Sequence, residues 1–469
     1  MLFPTFAFAV FFCVVLTGHR LLARAGTAAR LGWLLGASLL FYFLWLPPYL
    51  LLLLATMGIN YAFLVAMERS TRPKAWLAAS IILTLGLLGS FKYLDFLAGL
   101  AAPFVQILSG FEVRLPRLLL PLGISFYSFQ IIALHVDVYR GELERPRSLA
   151  RYALFLCFFP QLIAGPILRG REFLPQLAQG GVVSPERSRR GLWLIAVGLV
   201  KKVLLGDFLL APIVGPAFGS PGVLSGPEHL MAVYAFAFQI YFDFSGYTDM
   251  ARGVANLLGF HLPLNFEEPY LSRNPTEFWR RWHMTLSRWL RDYLYIPLGG
   301  NRQGSARTGV NLFLTMLLGG LWHGAGWNFV LWGGLHGVLL AIHRPMRARN
   351  RAEDPITWRD AGRIFLCFHA VVFLWIFFRA RDFSVAMEVI YSIFFGSWNI
   401  GLPPWSAAVV AFAGGLHVLE RLCRPRFDRL RASFESVPGA VVEGLVFGGL
   451  LALVVAASGA GGQFIYFQF

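Results

Sequence analysis

The chain has 469 residues, 57% of them hydrophobic and only 14% charged, with a mean hydropathy of +0.60. These values exclude an ordinary soluble domain. With 57% of 469 residues apolar and about 20 needed per membrane-crossing helix, composition caps the spans near roughly thirteen, and about ten are expected. The net charge of +16 comes from 41 Lys and Arg against 25 Asp and Glu. The basic residues fall in short runs between apolar segments, which is the pattern of cytoplasmic loops, not of a nucleic-acid surface.

The first apolar stretch, MLFPTFAFAVFFCVVL, has no basic residue before it and no small-residue cleavage pattern ahead of HRLLARAGTAAR. It is expected to be retained as a span with its N-terminus outside. Arg20, Arg24 and Arg30, and again Arg69, Arg72 and Lys74, are expected to be cytoplasmic, so the segment between them must cross twice. Pro47-Pro48 interrupts it and predicts two helices broken at the far side. Further apolar runs cover Trp76 to Leu108 and Leu118 to Val138, separated by a polar patch at Glu112, Arg114 and Arg117. A basic cluster at Arg140, Arg145, Arg147 and Arg151 is again expected to be cytoplasmic.

From Phe158 to Arg302 the apolar segments are short and interrupted, as in FFPQLIAGPILR and YFDFSGYTDMARG. Such backbone is tolerated at membrane depth only where protein or water covers it, which predicts re-entrant or cavity-lining segments. Apolar spans resume at Val310 to Ile342 and Ile364 to Phe378, then around Met387 to Phe395, Ala407 to Leu419 and Val441 to Ala457. Residues 1–469 read as one membrane domain, without heptads, short-period repeats or a long linker. The four cysteines, Cys13, Cys157, Cys367 and Cys423, have no metal-ligand or redox spacing and read as packing residues.

An ionisable side chain inside a membrane segment is a functional candidate, and ten histidines are available. His19, His261 and His343 border basic or polar stretches and are expected at the interface. His135 is two residues from Asp137, a spacing that does not face on a helix, so its partner is expected elsewhere, and His369 lies in an apolar run. His323 stands out in LLGGLWHGAGWNFVLWGGLHG, among Gly319, Gly320, Gly324 and Gly326. Those glycines suit either close helix packing or the approach of a slender substrate. His336, thirteen residues on, would point more than about 130° away on one continuous helix.

The second candidate is NPTEFWRRWHMTLSRWLRDYLYIPLGGNR. Asn274 or Thr276 can cap a helix with Pro275 and Glu277 in its first turn. Helical spacing then gathers Trp279, Trp282, His283, Leu286, Trp289, Leu290 and Tyr293 on one face, with Arg280, Arg281, Arg288 and Arg291 largely elsewhere. A basic amphipathic helix with marginal tryptophans can be a simple interfacial anchor. His283 on its apolar face is the discordant feature, and the arginines suit a phosphate-bearing ligand. A third stripe, Ser245, Asp249, Arg252 and Asn256, recurs at helical spacing and reads as an internal Asp249–Arg252 ion pair beside a helix break at Gly246. No phosphate-cradling loop, zinc site, serine elbow or nucleic-acid module is present.

The blocks FYSFQ, FFPQLIAGPILR, DFSGYTDMARG, RWHMTLSRWLRDYLYIPLGGNR and GGLWHGAGWNFVLWGGLHG occur in that order over roughly residues 118–345. In this the chain resembles the membrane-bound O-acyltransferase family, in its alginate O-acetyltransferase-like branch. The resemblance implies an all-α polytopic membrane protein of about ten or more transmembrane or re-entrant helices around a central funnel, in the bacterial inner membrane. It implies acetyl transfer from a cytoplasmic thioester, acetyl-CoA, to a hydroxyl acceptor of an exported or cell-surface polysaccharide, through periplasmic relay proteins, with no metal. It singles out His323 and His283. On that basis His323 is expected to act as base toward the attacking hydroxyl, and His283 to orient the thioester or stabilise charge. Arg280, Arg281 and Arg288 are expected to hold the donor's phosphates. Competing readings are D-alanyl or other acyl transfer from a carrier-protein thioester, a transporter or channel, and a scaffold with inert histidines.

Overall fold

A computed structural model describes residues 3–109, 118–343, 356–398, 401, 403–436 and 440–457. The expected polar patch at Glu112, Arg114 and Arg117 lies outside them. Every regular element among the described residues is helical, and the chain forms two compact units. One holds Val10–Val183 and Leu257–Leu262, the other Leu2–Ala9, Ser184–Asn256 and Pro263–Phe469.

The first unit contains most of α1 (Phe6–Leu21), then α2 (Thr27–Phe43), α3 (Pro47–Arg69), α4 (Pro73–Lys92), α5 (Leu94–Ser109), α6 (Ile124–Tyr139), α7 (Leu149–Cys157), α8 (Phe159–Leu162) and α9 (Gly170–Gln179). The double proline acts as its chemistry requires: α2 stops at Phe43, and α3 starts with the prolines in its first turn, where no intrahelical donor is lost. Ser148 caps α7 by accepting the Arg151 N–H. The Asn60 Oδ1 of α3 accepts from the Ser80 hydroxyl at 2.7 Å and the Thr84 hydroxyl at 3.3 Å, both on α4. Short polar groups thus tie two apolar helices where burial alone gives lipid-facing helices little reason to associate. His135 is bonded to the Tyr152 hydroxyl at 3.3 Å, as a partner other than Asp137 requires. His19, in the last turn of α1 beside Arg20, is buried at 2% exposure and packed inside the unit.

The second unit runs through α10 (Pro185–Leu199), which continues as π-helix over Val200–Leu210, then α11 (Ala211–Gly219) and α12 (Gly226–Leu257). Next come α13 (Pro275–Arg281), α14 (Met284–Leu290), α15 (Gly304–His323), α16 (Trp327–His343), α17 (Ala361–Arg379), α18 (Phe383–Phe395), α19 (Pro404–Leu422), α20 (Arg424–Ser436) and α21 (Ala440–Ala457). No break occurs at Gly246: α12 passes through it over 32 residues. The glycine serves a close crossing instead. A Cβ on Gly246 would lie 2.7 Å from the Gly198 carbonyl of α10, and one on Gly253 would lie 2.6 Å from the Gly191 carbonyl. The Asp249–Arg252 pair forms as expected, at 3.1 Å.

Among the described residues four helices are long and apolar enough to cross a membrane, Phe6–Arg24, Pro47–Arg69, Pro73–Lys92 and Trp358–Arg379. Trp405–Leu422 with Arg424–Ser436, bent by 73°, makes a fifth if counted as one span. The second unit is mostly helices that are shorter or carry polar side chains, which is why length and composition recover fewer spans than the total apolar content allows.

Candidate active site

The block around His283 does not form one amphipathic helix. α13 ends at Arg281 and α14 begins at Met284, with Trp282 extended between them and His283 left-handed at φ +42° and ψ +54°. A β-carbon in that conformation costs of order 1–3 kcal/mol, so surrounding contacts must hold it there. They start with Asn274, whose Oδ1 accepts the Glu277 N–H at 2.9 Å and opens α13, with Pro275 following. At the break, the Met284 N–H donates to the Asn265 carbonyl at 2.9 Å.

The Asn265 side chain sets the histidine. Its Oδ1 receives the Thr285 N–H at 3.2 Å and the Thr285 hydroxyl at 3.0 Å, and lies 3.2 Å from His283 Nδ1. A backbone N–H can only donate, so the amide atom facing Thr285 must be the oxygen, and His283 Nδ1 must then carry the proton it donates. Nε2 is left with a lone pair. That nitrogen is buried and has no hydrogen-bond partner among the described residues. His283 lies outside every candidate span, and burial pushes its pKa well below the ordinary imidazole value, so the ring is neutral.

His323 ends α15 and is also buried. Trp322 contacts both histidines, with ring centroids 6.3 Å from His283 and 4.9 Å from His323. Trp332 of α16 then stands edge-on to His323 at 5.1 Å and to His336 at 4.8 Å. The apolar segment from Val310 to Ile342 is therefore not one helix. It turns at Gly324–Gly326, so His323 and His336, which helical rotation would have separated, meet the same indole. The glycines here serve mainly that hairpin. A Cβ on Gly320 would lie 2.3 Å from the Phe329 carbonyl and 2.9 Å from Gly333 Cα, and one on Gly324 would enter the Phe329 ring.

The arginines divide. Arg281 points inward, donating to Glu277 Oε1 at 3.0 Å and lying 3.7 Å from Glu268, while Arg273 binds the other Glu277 oxygen at 2.9 Å. A guanidinium fixed on two buried carboxylates holds the local fold, and Arg281 is not among the residues that line the cavity beside it. Arg280 and Arg288 do line a cavity of about 730 Å³, with Arg291, Trp279, Met284 and Asn301 also in its wall. No carboxylate lines it among the described residues. It adjoins the His283 break through Met284 and the His336 cluster through Trp279, whose ring is 5.0 Å from His336. Arg291 is held by Asp292, at 2.6 Å and 3.1 Å, which leaves Arg280 and Arg288 as the guanidiniums that can hold an anionic ligand there.

Sequence reasoning missed Asn265 and Trp332, and set His336 apart from His323 by assuming one continuous helix. Asn265 had a signal, a lone amide in the apolar run HLPLNF. Its contact with His283 spans 18 residues and has no local signature.

Residues 76–379 match the family model described as MBOAT, membrane-bound O-acyltransferase. The chain is 41% identical over 377 residues to a probable alginate O-acetylase AlgI of Azotobacter vinelandii, covering 78% of this chain and 73% of that protein. It is 39% identical over 389 residues to the peptidoglycan O-acetyltransferase of Helicobacter pylori, covering 76% and 72%. A teichoic acid D-alanyltransferase of Streptococcus thermophilus is 28% identical over 403 residues, covering 79% and 88%.

Proposed function

This chain belongs to the membrane-bound O-acyltransferase family and is a multi-pass membrane O-acyltransferase, and from that premise we propose that it acetylates. The donor in this reading is acetyl-CoA on the cytoplasmic side of the bacterial inner membrane. The acceptor is a hydroxyl on the periplasmic side, in the O-acetylation of an exported or cell-surface polysaccharide such as alginate, reached through periplasmic acyl-relay proteins. The helices not long enough to count as spans by composition complete ten or more crossing or re-entrant segments around a funnel. The observation that carries the reading is the buried Nε2 lone pair of His283 beside an arginine-lined cavity.

The chemistry follows from two imidazoles in an apolar setting. The acceptor's O–H gives its proton to His323 as its oxygen bonds to the thioester carbonyl carbon. The C–S bond then breaks, and the departing CoA sulfur takes that proton back from the imidazolium. His283, whose Nδ1–H is engaged by Asn265, cannot donate from Nε2 to an oxyanion. It accepts instead, and a pantetheine amide N–H is the donor available on the incoming arm. Arg280 and Arg288 hold the phosphates, and Arg281 is withdrawn from that set. Trp332, edge-on to His323, limits where the ring can turn.

The test is to incubate purified protein with radiolabelled acetyl-CoA and membranes of the source organism, comparing wild type with His323→Ala. Label passing to lipid or glycan fractions with wild type alone supports the reading, and transfer at full rate by the variant overturns the role of His323. A parallel arm with a D-alanyl-loaded carrier protein distinguishes the reaction carried by the D-alanyltransferase relative. Transfer from that donor and none from acetyl-CoA would replace the donor named here.

A further inference from the structure

A second cavity, of about 610 Å³, meets the His283 break through Asn265, whose carbonyl accepts the Met284 N–H. Met284 lines the arginine cavity, while Asn265 lines this one. Its walls come from α10 and its π-helical extension, α12, the 264–268 segment, α19 and α20. They are largely apolar, with Trp193, Val197, Phe242, Phe266, Leu419 and Phe427 contributing broad surfaces. Nothing in the chemistry assigned to His323 and His283 uses this space.

The charges in its wall are compensated from within. Lys201 Nζ lies 3.2 Å from Asp249 and 3.0 Å from Glu420. The second Asp249 oxygen takes Arg252 at 3.1 Å, and the second Glu420 oxygen accepts the Tyr241 hydroxyl at 2.7 Å. Glu267 is bound by Arg424 at 2.7 Å, and Glu268 by Arg421 at 3.3 Å. An ionic ligand would find its counter-charges already engaged, whereas in the arginine cavity the carboxylate of Asp292 engages Arg291, one of the three lining guanidiniums. Two neutral polar groups in the wall are left over. Ser245 Oγ and Asn265 Nδ2 are buried, at 2% and 1% residue exposure, and have no partner among the described residues. A buried donor without an acceptor is uncommon enough in folded proteins to point to a missing partner.

We propose that this second cavity binds a neutral amphiphile bearing hydroxyl groups, its apolar part along the Trp193, Val197 and Leu419 wall and a hydroxyl oxygen on Asn265 Nδ2 and Ser245 Oγ. Apolar walls with a few convergent polar groups are what such a ligand needs, and with Lys201 and Arg424 already paired to carboxylates no free cation among the described wall residues offsets the desolvation of a phosphate or carboxylate, which favours a hydroxyl. The same amide that fixes the His283 proton through Oδ1 reads the ligand through Nδ2, so the site and the histidine share one side chain. Asn265 is in this respect a positioning residue.

The experiment needs no acyl transfer, so its outcome is independent of the reaction proposed above. The full-length protein is placed in phosphatidylcholine nanodiscs and labelled with a photoreactive decyl glucoside, with a photoreactive alkane of equal length as the hydroxyl-free control. Crosslinks are mapped by mass spectrometry, and thermal unfolding confirms that each variant is folded. The glucoside should label the Val197 and Leu419 walls, and excess CoA should not compete. Ser245→Ala, which deletes a hydroxyl with no partner among the described residues, should weaken labelling about tenfold, the worth of one hydrogen bond. Val197→Trp, which fills the space, should abolish it. Labelling outside the cavity, labelling unchanged in both variants, or equal labelling by the alkane would each overturn the proposal, the last by showing a groove for lipid chains alone.

Discussion

Asn265 Oδ1 and His283 Nδ1 lie 3.2 Å apart, and Thr285 donates twice to the same oxygen. One carbonyl oxygen thus decides which nitrogen of a fully buried imidazole keeps a lone pair, and it does so at a residue held in the left-handed region. Replacing Asn265 with Ala frees the imidazole tautomer and takes from the Thr285 hydroxyl and His283 Nδ1–H the buried oxygen to which both donate. Unsatisfied buried groups cost about 1–3 kcal/mol each. The variant is expected to unfold at a clearly lower temperature and to lose most acetyl transfer. Asn265→Asp retains an oxygen for both donors and should recover much of the stability, measured as the thermal midpoint in the same detergent.

The two histidines are expected to separate kinetically. Removing a general base typically lowers turnover by about 10²–10⁴-fold, so His323→Ala should collapse kcat. His283→Ala removes an acceptor for the donor arm and should raise KM for acetyl-CoA more than it lowers kcat. Initial-rate measurements on purified variants decide this, and the opposite split would exchange the two roles.

The arginines are expected to part in the same way. Arg280 and Arg288 line the cavity, so Arg280→Ala and Arg288→Ala should raise KM for acetyl-CoA, by about tenfold for a charge-assisted contact, with little loss of stability. Arg281→Ala takes one of two cations from Glu277 and leaves Glu268 less compensated. Breaking a buried pair costs about 3–5 kcal/mol, so this variant should fail first in thermal unfolding or in yield. A KM effect confined to Arg281→Ala would reverse the assignment.

Much of this site could be read from local chemistry. Pro47-Pro48 ended one helix and opened the next, Asn274 capped α13, and His323 and His283 drew notice as titratable groups in apolar runs. The 3.6-residue pattern through Trp279, His283 and Leu286 still misled, because hydrophobic spacing continues across a two-residue break that places His283 by its backbone. The apparent single span from Val310 to Ile342 misled for the same reason, since both arms of the α15–α16 hairpin are apolar. The inward turn of Arg281 and the role of Asn265 depend on partners distant in sequence or across a break, and spacing carries no trace of them. Gly246 read as a breaker since only the α10 backbone, absent from any local window, shows why it must lack a side chain.

Glycine substitutions should discriminate packing from open space in the α15–α16 hairpin. Gly320→Ala places a Cβ 2.3 Å from a backbone carbonyl, which cannot move without separating the helices, whereas Gly319→Ala meets only Leu290 Cδ1 at 3.2 Å, the end of a flexible side chain. The first is expected to destabilise strongly, beyond the roughly 1–3 kcal/mol of ordinary overpacking, and the second to be near neutral. Comparable thermal midpoints for the two would show that the glycines keep room for a ligand and not for a helix.

The His283 pKa is depressed in the folded protein and returns to about 6.5 on unfolding. Between those values the unfolded chain binds a proton that the folded chain does not, so stability rises with pH there. The contribution of His283 is fully present above about pH 6.5 and is lost progressively as the pH falls below it, with a limiting slope of about 1.4 kcal/mol per pH unit. His283→Gln removes the titrating ring, so its stability should fall less steeply than wild type between pH 6.5 and 5. Chemical-denaturant midpoints across that range measure the difference. Parallel curves would mean that His283 is protonated in the folded protein, which would also remove the lone pair on which its role as acceptor depends.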